Sequence, residues 1–165
     1  MSVSEPSRIP ECGQAPSYRA KRFAVLTGNH SCYECNRDTR VSAVGLLGYQ
    51  ESDCESGELE TFPDSVLITR ITALNGAAAK EVISHAPWMR YATSRTASHS
   101  YLANHCEHCN AMIGAWYVQE PGEPFFPATL ADARKLSVAW IDQPFEGEGE
   151  GGVSAMWLDH LLLEG

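Results

Sequence analysis

Two Cys-x-x-Cys pairs, Cys32-Tyr-Glu-Cys35 and Cys106-Glu-His-Cys109, restrict this chain more than any other feature of its sequence. Thiolates two residues apart meet one metal ion when a tight turn brings both sulfurs to the same point, and two such turns complete a tetrahedron. In knuckles of this kind the residue after the second cysteine commonly takes a left-handed conformation, which Gly tolerates best and Asn next best. Both positions here are Asn, Asn36 and Asn110. Cys32, Cys35, Cys106 and Cys109 are therefore the expected ligands of one structural ion.

Apolar, β-compatible runs flank each pair. Phe23–Leu26 and Val41–Leu47 stand on either side of the first, Ser100–Ala103 and Ala111–Val118 on either side of the second. The pattern is strand, metal turn, strand, written twice. The 70 residues between the pairs form a large insertion. Closing a longer loop costs only about 0.6 kcal/mol per doubling of length, against roughly 10–16 kcal/mol for structural zinc binding in peptides.

Within and beyond the insertion, Val66–Leu74 reads as a further strand, and Asn75 as the N-cap of a short helix over Gly76–Ser84 that Pro87 closes. Ala128–Lys135 suggests a second short helix and Leu136–Ile141 a strand. Ser154 is placed to cap a third helix over Ala155–Leu163, with Met156, Trp157, His160 and Leu161 on one face and Asp159 opposite. The fold class expected is α+β, mainly β: a zinc-ribbon core of two knuckle hairpins with a large insertion and short helices. Residues 1–20 read as a flexible N-terminal tail and 21–165 as a single domain. The net charge of −9 collects in two segments, 41–65 and 119–165, whose glycine-bearing runs near 51–64 and 146–152 read as solvated acidic loops.

Zinc is the expected ion because it is the usual occupant of structural four-thiolate sites; a rubredoxin-type iron site uses similar ligands. A thioredoxin-like dithiol needs one Cys-x-x-Cys at a helix start, not two between β-runs. His30, His105 and His108 crowd the knuckles, but thiolate is the better zinc ligand, which leaves the histidines roles around the ligands. Cys12 and Cys54 have no paired spacing and receive no role. No phosphate loop, nucleophile elbow, His-Glu-x-x-His helix or zinc-deaminase signature is present, and no residue is assigned as catalytic. No stretch reaches the ~20 apolar residues of a membrane span, and no signal peptide precedes the chain's paired cysteines, so a soluble protein of the reducing cytoplasm is expected.

Ser100-Tyr-Leu-Ala-Asn-His-Cys-Glu-His-Cys-Asn-Ala-Met-Ile-Gly114 resembles the second knuckle of poorly characterised bacterial zinc-ribbon proteins, and Cys32–Cys35 looks like their first. That resemblance covers about a quarter of the chain and matches the four cysteines. It implies a ribbon that binds something without naming it. The leading expectation is a small non-enzymatic binding module that recognises a protein partner through a zinc-pinned surface and exposed aromatics, drawn from Trp88, Tyr91, Trp116, Tyr117 and Trp157. One alternative is a nucleic-acid-binding ribbon that uses Arg70, Lys80, Trp88, Arg90, Tyr91, Arg95 and Tyr101 from the basic 66–105 segment; the overall negative charge opposes it. Another is an acidic decoy that fills the basic groove of a nucleic-acid-binding protein.

Overall fold

The computed structural model describes residues 16–52, 57–94, 100–152 and 156–164. Its first strand, β1 (Ser17–Ala20), lies inside the stretch expected to be a tail, and its Tyr18 is buried. β2 (Phe23–Ser31) and β3 (Asp38–Ser52) carry the first Cys-x-x-Cys between them, and their ladder runs from Ala24↔Gly45 to Ser31↔Asp38. β4 (Leu59–Leu74) pairs back along β3 from Ser52↔Leu59 to Val44↔Ile68. The expected acidic loop near 51–64 is thus largely paired strand, with only 53–56 outside the described residues.

After β4, the Ala-rich α1 (Gly76–His85) buries Ala78 and Val82. Asn75 does not cap it with its side chain; that side chain instead accepts from the Glu146 N–H at 2.9 Å and donates to the Pro144 carbonyl at 3.2 Å. β5 (Met89–Thr93) and β6 (Ser100–His105) form a hairpin, and β6 leads through the second Cys-x-x-Cys into β7 (Met112–Ile113). The strand expected over Ala111–Val118 stops after these two residues, where the chain coils into successive turns from Ala115. α2 (Leu130–Ala133) is capped by Thr129, which accepts from the Asp132 N–H at 3.1 Å, and β8 (Ser137–Ile141) pairs with β2.

The stretch expected as the second acidic loop is also a strand, β9 (Phe145–Gly151). Its alternation is Glu outward and Gly inward: Gly147 and Gly149 are buried, Glu146, Glu148 and Glu150 exposed. A Cβ on Gly149 would stand 2.8 Å from the Ile68 side chain and 2.9 Å from the Thr69 carbonyl oxygen, so only glycine admits the neighbouring backbone this closely. α3 (Met156–Leu163) ends the described chain. It buries Leu158, Leu161 and Leu162 and leaves Met156 and His160 exposed, so its apolar face is rotated from the one expected. Asp159 points toward the sheet, where it accepts from the buried Ser65 N–H and hydroxyl. Ser154 lies outside the described residues.

β9 pairs with β4 on one side and β1 on the other, and β1 pairs in turn with β3 at Tyr18↔Glu51. Since β3 already pairs with β4, these four strands close a circuit. The principal core lies among Tyr18, Phe23, Val44, Leu46, Val66, Ile68 and Phe145. A second core covers the knuckle end, where Leu158, Leu161 and Leu162 of α3 pack with Leu26, Val41, Cys32 and Cys106. Burying each such leucine is worth about 1.5–3 kcal/mol, which fixes α3 over β3 where Leu162 lies against Gly45. The molecule is therefore mainly β with short helices, and the β5–β6–β7 ladder joins the larger sheet through Ile71↔Leu102.

Candidate metal centre

Both cysteine pairs sit in turns of the same construction. Cys32 donates its N–H to the Arg37 carbonyl and accepts from the Asn36 N–H, each at 2.9 Å; Cys106 donates to Ala111 and accepts from Asn110, again at 2.9 Å. Closing each turn requires its last residue to be left-handed, and Asn36 (φ 59) and Asn110 (φ 67) are. The side-chain amide of Asn110 also accepts a hydrogen bond from Arg90.

The two turns face each other and bring their sulfurs to one point. Cys32 Sγ lies 3.6 Å from Cys109 Sγ, Cys35 Sγ lies 3.6 Å from Cys106 Sγ, and all four sulfurs fall within 4.8 Å of one another. Four thiolates at about 2.3 Å from a tetrahedral ion would stand about 3.8 Å apart. The spacing fits a shared ion, and no histidine or carboxylate joins the group among the described residues. Cys32 and Cys106 are buried, Cys35 is half-buried and Cys109 exposed, so the centre has an inner and an outer side.

Electrostatics of the bare thiols point the same way. Burial opposes ionisation of Cys106, but the backbone N–H groups of Cys109 and His108, with Cys35 and Cys32, outweigh it and lower this thiol to about 6. At Cys109 the Ala111 N–H favours the thiolate, yet desolvation and the other three sulfurs push the thiol up to about 12. Four negative charges cannot share so small a volume without a cation, and a divalent ion at the centre removes that conflict.

Side chains that the sequence left unassigned hold the two turns together. Glu107 accepts from the Arg40 backbone N–H at 3.1 Å and from the Arg40 guanidinium, and its own N–H donates to Thr39 Oγ1 at 3.0 Å. The Arg40 guanidinium lies 4.3 Å from the centroid of the Trp88 ring. Behind the knuckles, buried Asn104 accepts from the Ser42 N–H at 2.8 Å and donates to the Ser42 carbonyl at 3.0 Å, so an amide side chain replaces a missing ladder rung between β3 and β6. The one sequence signal was a polar residue inside the run Tyr101-Leu-Ala-Asn-His105.

None of the three histidines bonds a sulfur through its ring. His108 donates from Nε2 to the Asp38 carbonyl at 2.9 Å, tying one knuckle to the other, and its backbone N–H points at Cys106 Sγ, 3.4 Å away. His30 Nδ1 meets Glu123 at 2.8 Å. His105 is buried, and burial followed by the Arg90 charge lowers its pKa; its ring donates from Nδ1 to the Ala103 carbonyl at 3.0 Å.

The expected binding residues do not gather on one face. Trp88 is 6% exposed and belongs to the core, while Tyr91 is half exposed on the edge strand β5. Arg90 is engaged with Asn110 and Arg70 with Glu150 at 2.9 Å, whereas Arg95 lies outside the described residues, as do Cys12 and Cys54. The aromatics beside the metal centre are Tyr33, between the first two cysteines, and Tyr117, stacked on it with ring centroids 6.0 Å apart; Trp116, next to Tyr117 in the chain, is 67% exposed and donates its indole N–H to Glu120 at 3.1 Å. No described helix is long and apolar enough to cross a membrane. No family model matches the sequence, and comparison with curated proteins and with solved structures returns no match either, so the centre is characterised by its own residues and geometry.

Proposed function

We propose that the protein is a small non-enzymatic binding module in which a structural zinc ion, held by Cys32, Cys35, Cys106 and Cys109, fixes a surface for a protein partner. The convergence of four sulfurs within 4.8 Å carries this reading. Zinc suits it because the donor set is all thiolate and closed, with no position left for a substrate. The module joins elements far apart in sequence, since one ion ties the β2–β3 turn to the β6–β7 turn.

The surface proposed is built on the exposed Tyr33–Tyr117 stack beside the centre, with the exposed Trp116 adjoining Tyr117 in the chain. Exposed aromatics of this size anchor protein interfaces, where truncating a central one costs about 2 kcal/mol or more. Glu34, Glu120 and Glu123 lie on the same turns, and no Lys or Arg occurs between residues 106 and 133, so a cationic partner face complements it. Of the cations named for the nucleic-acid alternative, Arg70 and Arg90 are already engaged, which favours the protein reading. Co-purification of the zinc-loaded protein from its source cells, compared with Tyr33→Ala/Trp116→Ala, tests the idea. Loss of a stoichiometric protein partner at unchanged zinc content is expected, and a partner retained by the double variant would refute the surface.

A further inference from the structure

Far from the knuckles, a groove of about 900 Å³ opens against β1, β3, β4 and the start of β9. Asp38, beside the metal turn, and Leu47, at the groove, are nine residues apart on β3, which at about 3.3 Å per residue is roughly 30 Å. The groove is a separate feature with its own origin. At Gly48 the β3–β4 register shifts between Leu47 and Tyr49, and the bulge residue takes φ +73. Such a bulge re-aims the side chain that follows it. Here that residue is Tyr49, whose ring stacks on Phe62 with centroids 5.2 Å apart and planes within 19°.

The groove has an apolar floor and a cationic lip. Leu47 extends the surface made by Tyr49 and Phe62, with the buried Phe145 behind it. Along one edge β1 supplies Arg19 and the β1–β2 turn Lys21 and Arg22, with Glu146 as the one acid among the lining residues. Arg19 is occupied by Glu146 at 2.9 Å, and Arg22 is pinned with its guanidinium 3.9 Å from the Trp140 ring centroid. Lys21 has no ionic partner among the described residues. A positive lip on a chain of net charge −9 is a local reversal of sign, and the volume falls within the roughly 300–1,000 Å³ of small-molecule sites.

We propose that this groove binds a small amphipathic anion, one soluble molecule with a flat apolar body on Tyr49 and Phe62 and an anionic head at Lys21 and Arg22. This goes beyond the partner reading above and does not depend on it. The occupant follows from complementarity: stacked rings select a planar apolar body, and Lys21 and Arg22, neither with a carboxylate partner among the described residues and Arg22 held on the Trp140 ring, select a negative head at one end of it.

Two fluorescent probes that differ by one sulfonate, 1-anilinonaphthalene-8-sulfonate and neutral N-phenyl-1-naphthylamine, test it on the zinc-loaded full chain. The sulfonate probe is expected to bind once per chain and roughly tenfold more tightly than the neutral one, the scale of two partly exposed charge contacts. Lys21→Glu/Arg22→Glu should abolish that preference and leave neutral-probe binding unchanged. Phe62→Ala should weaken both probes about tenfold. The single variant Lys21→Glu, at an exposed turn residue, keeps the test informative where Phe62→Ala fails to fold. Equal affinity for the two probes, or sulfonate binding untouched by Lys21→Glu/Arg22→Glu, would overturn the proposal. So would attachment to phosphatidylserine vesicles without binding of the monomeric probe, or self-association that Lys21→Glu abolishes, which would assign the groove to a membrane surface or to a second copy.

Discussion

Replacing one metal ligand separates what the ion contributes from what the sheet contributes. Four equivalent thiolates share a binding free energy of roughly 10–16 kcal/mol, so each accounts for about 3–4 kcal/mol. Cys109→Ser, at the exposed corner of the site, should therefore lower zinc affinity by about two to three powers of ten. Where the ion stays bound only to the folded state, the same loss lowers the melting midpoint by roughly 6–16 °C, at about 2–4 °C per kcal/mol for a chain of this size. Cys106→Ser should be worse. The residue is 3% exposed and belongs to the second core with Leu158 and Leu161, so exchanging its thiol for a hydroxyl adds about 1–3 kcal/mol for burying the O–H donor, even with the His108 N–H still directed at the oxygen. Competition against a chromophoric chelator at pH 7 gives the affinities, and urea unfolding with and without chelator gives the stabilities. Metal-stripped wild type and metal-stripped Cys109→Ser should then unfold together, since they differ only at a surface thiol. One zinc per chain in the wild type is the accompanying expectation. Unchanged zinc content and unchanged midpoints in both Cys109→Ser and Cys106→Ser would refute the reasoning, as would a wild-type preparation that melts identically with and without metal.

Three further outcomes are expected. At the knuckle positions with positive φ, Asn36→Gly should be well tolerated and Asn36→Ala should cost about 1–2 kcal/mol, with Asn110→Ala worse because it also loses the Arg90 hydrogen bond; equal midpoints for the Ala and Gly variants would contradict the left-handed requirement. In β9, Gly149→Ala should lower stability by about 1–3 kcal/mol because its Cβ meets backbone at 2.9 Å, whereas at Gly152 the nearest atom is 3.7 Å away and the Ala variant should be near neutral in urea unfolding. Burial, then the charge of Glu51 and a 3.3 Å hydrogen bond to it, raise the pKa of Tyr18 above its ordinary 10.0. An acid whose folded-state pKa is raised contributes stability that is complete below the unfolded value and is lost as pH rises above it, so unfolding free energy should fall above about pH 10 and fall less in Tyr18→Phe; parallel profiles for the two proteins would exclude Tyr18 as the source.

Much of the metal centre was legible in the sequence because its determinants are local. A Cys-x-x-Cys turn needs its sulfurs two residues apart and a left-handed residue after them, and Asn36 and Asn110 declare that requirement within five residues of chain. The flanking strands β2, β3 and β6 declare themselves for the same reason, through short apolar runs. That the two turns would meet was inferred from the chemistry of four thiolates, and the sulfurs do converge.

What the sequence did not decide depends on which residues lie opposite. Phe145–Gly151 has the composition of a loop, and its Glu/Gly alternation becomes a strand only because β4 and β1 approach closely enough to need bare glycine between them. Ser17–Ala20 is too short to hold a strand alone and is held by β3 and β9 on its two sides. The same dependence separates Trp88 from Trp116: both are tryptophans beside turns, but one lies beneath Arg40 in the core and the other stands in solvent. The groove at Tyr49 and Phe62 likewise draws on four strands from distant parts of the chain. Turn geometry is fixed by sterics between neighbours in sequence, whereas burial, strand pairing and the shape of a groove are fixed by neighbours in space, and those exist only once the chain has closed on itself.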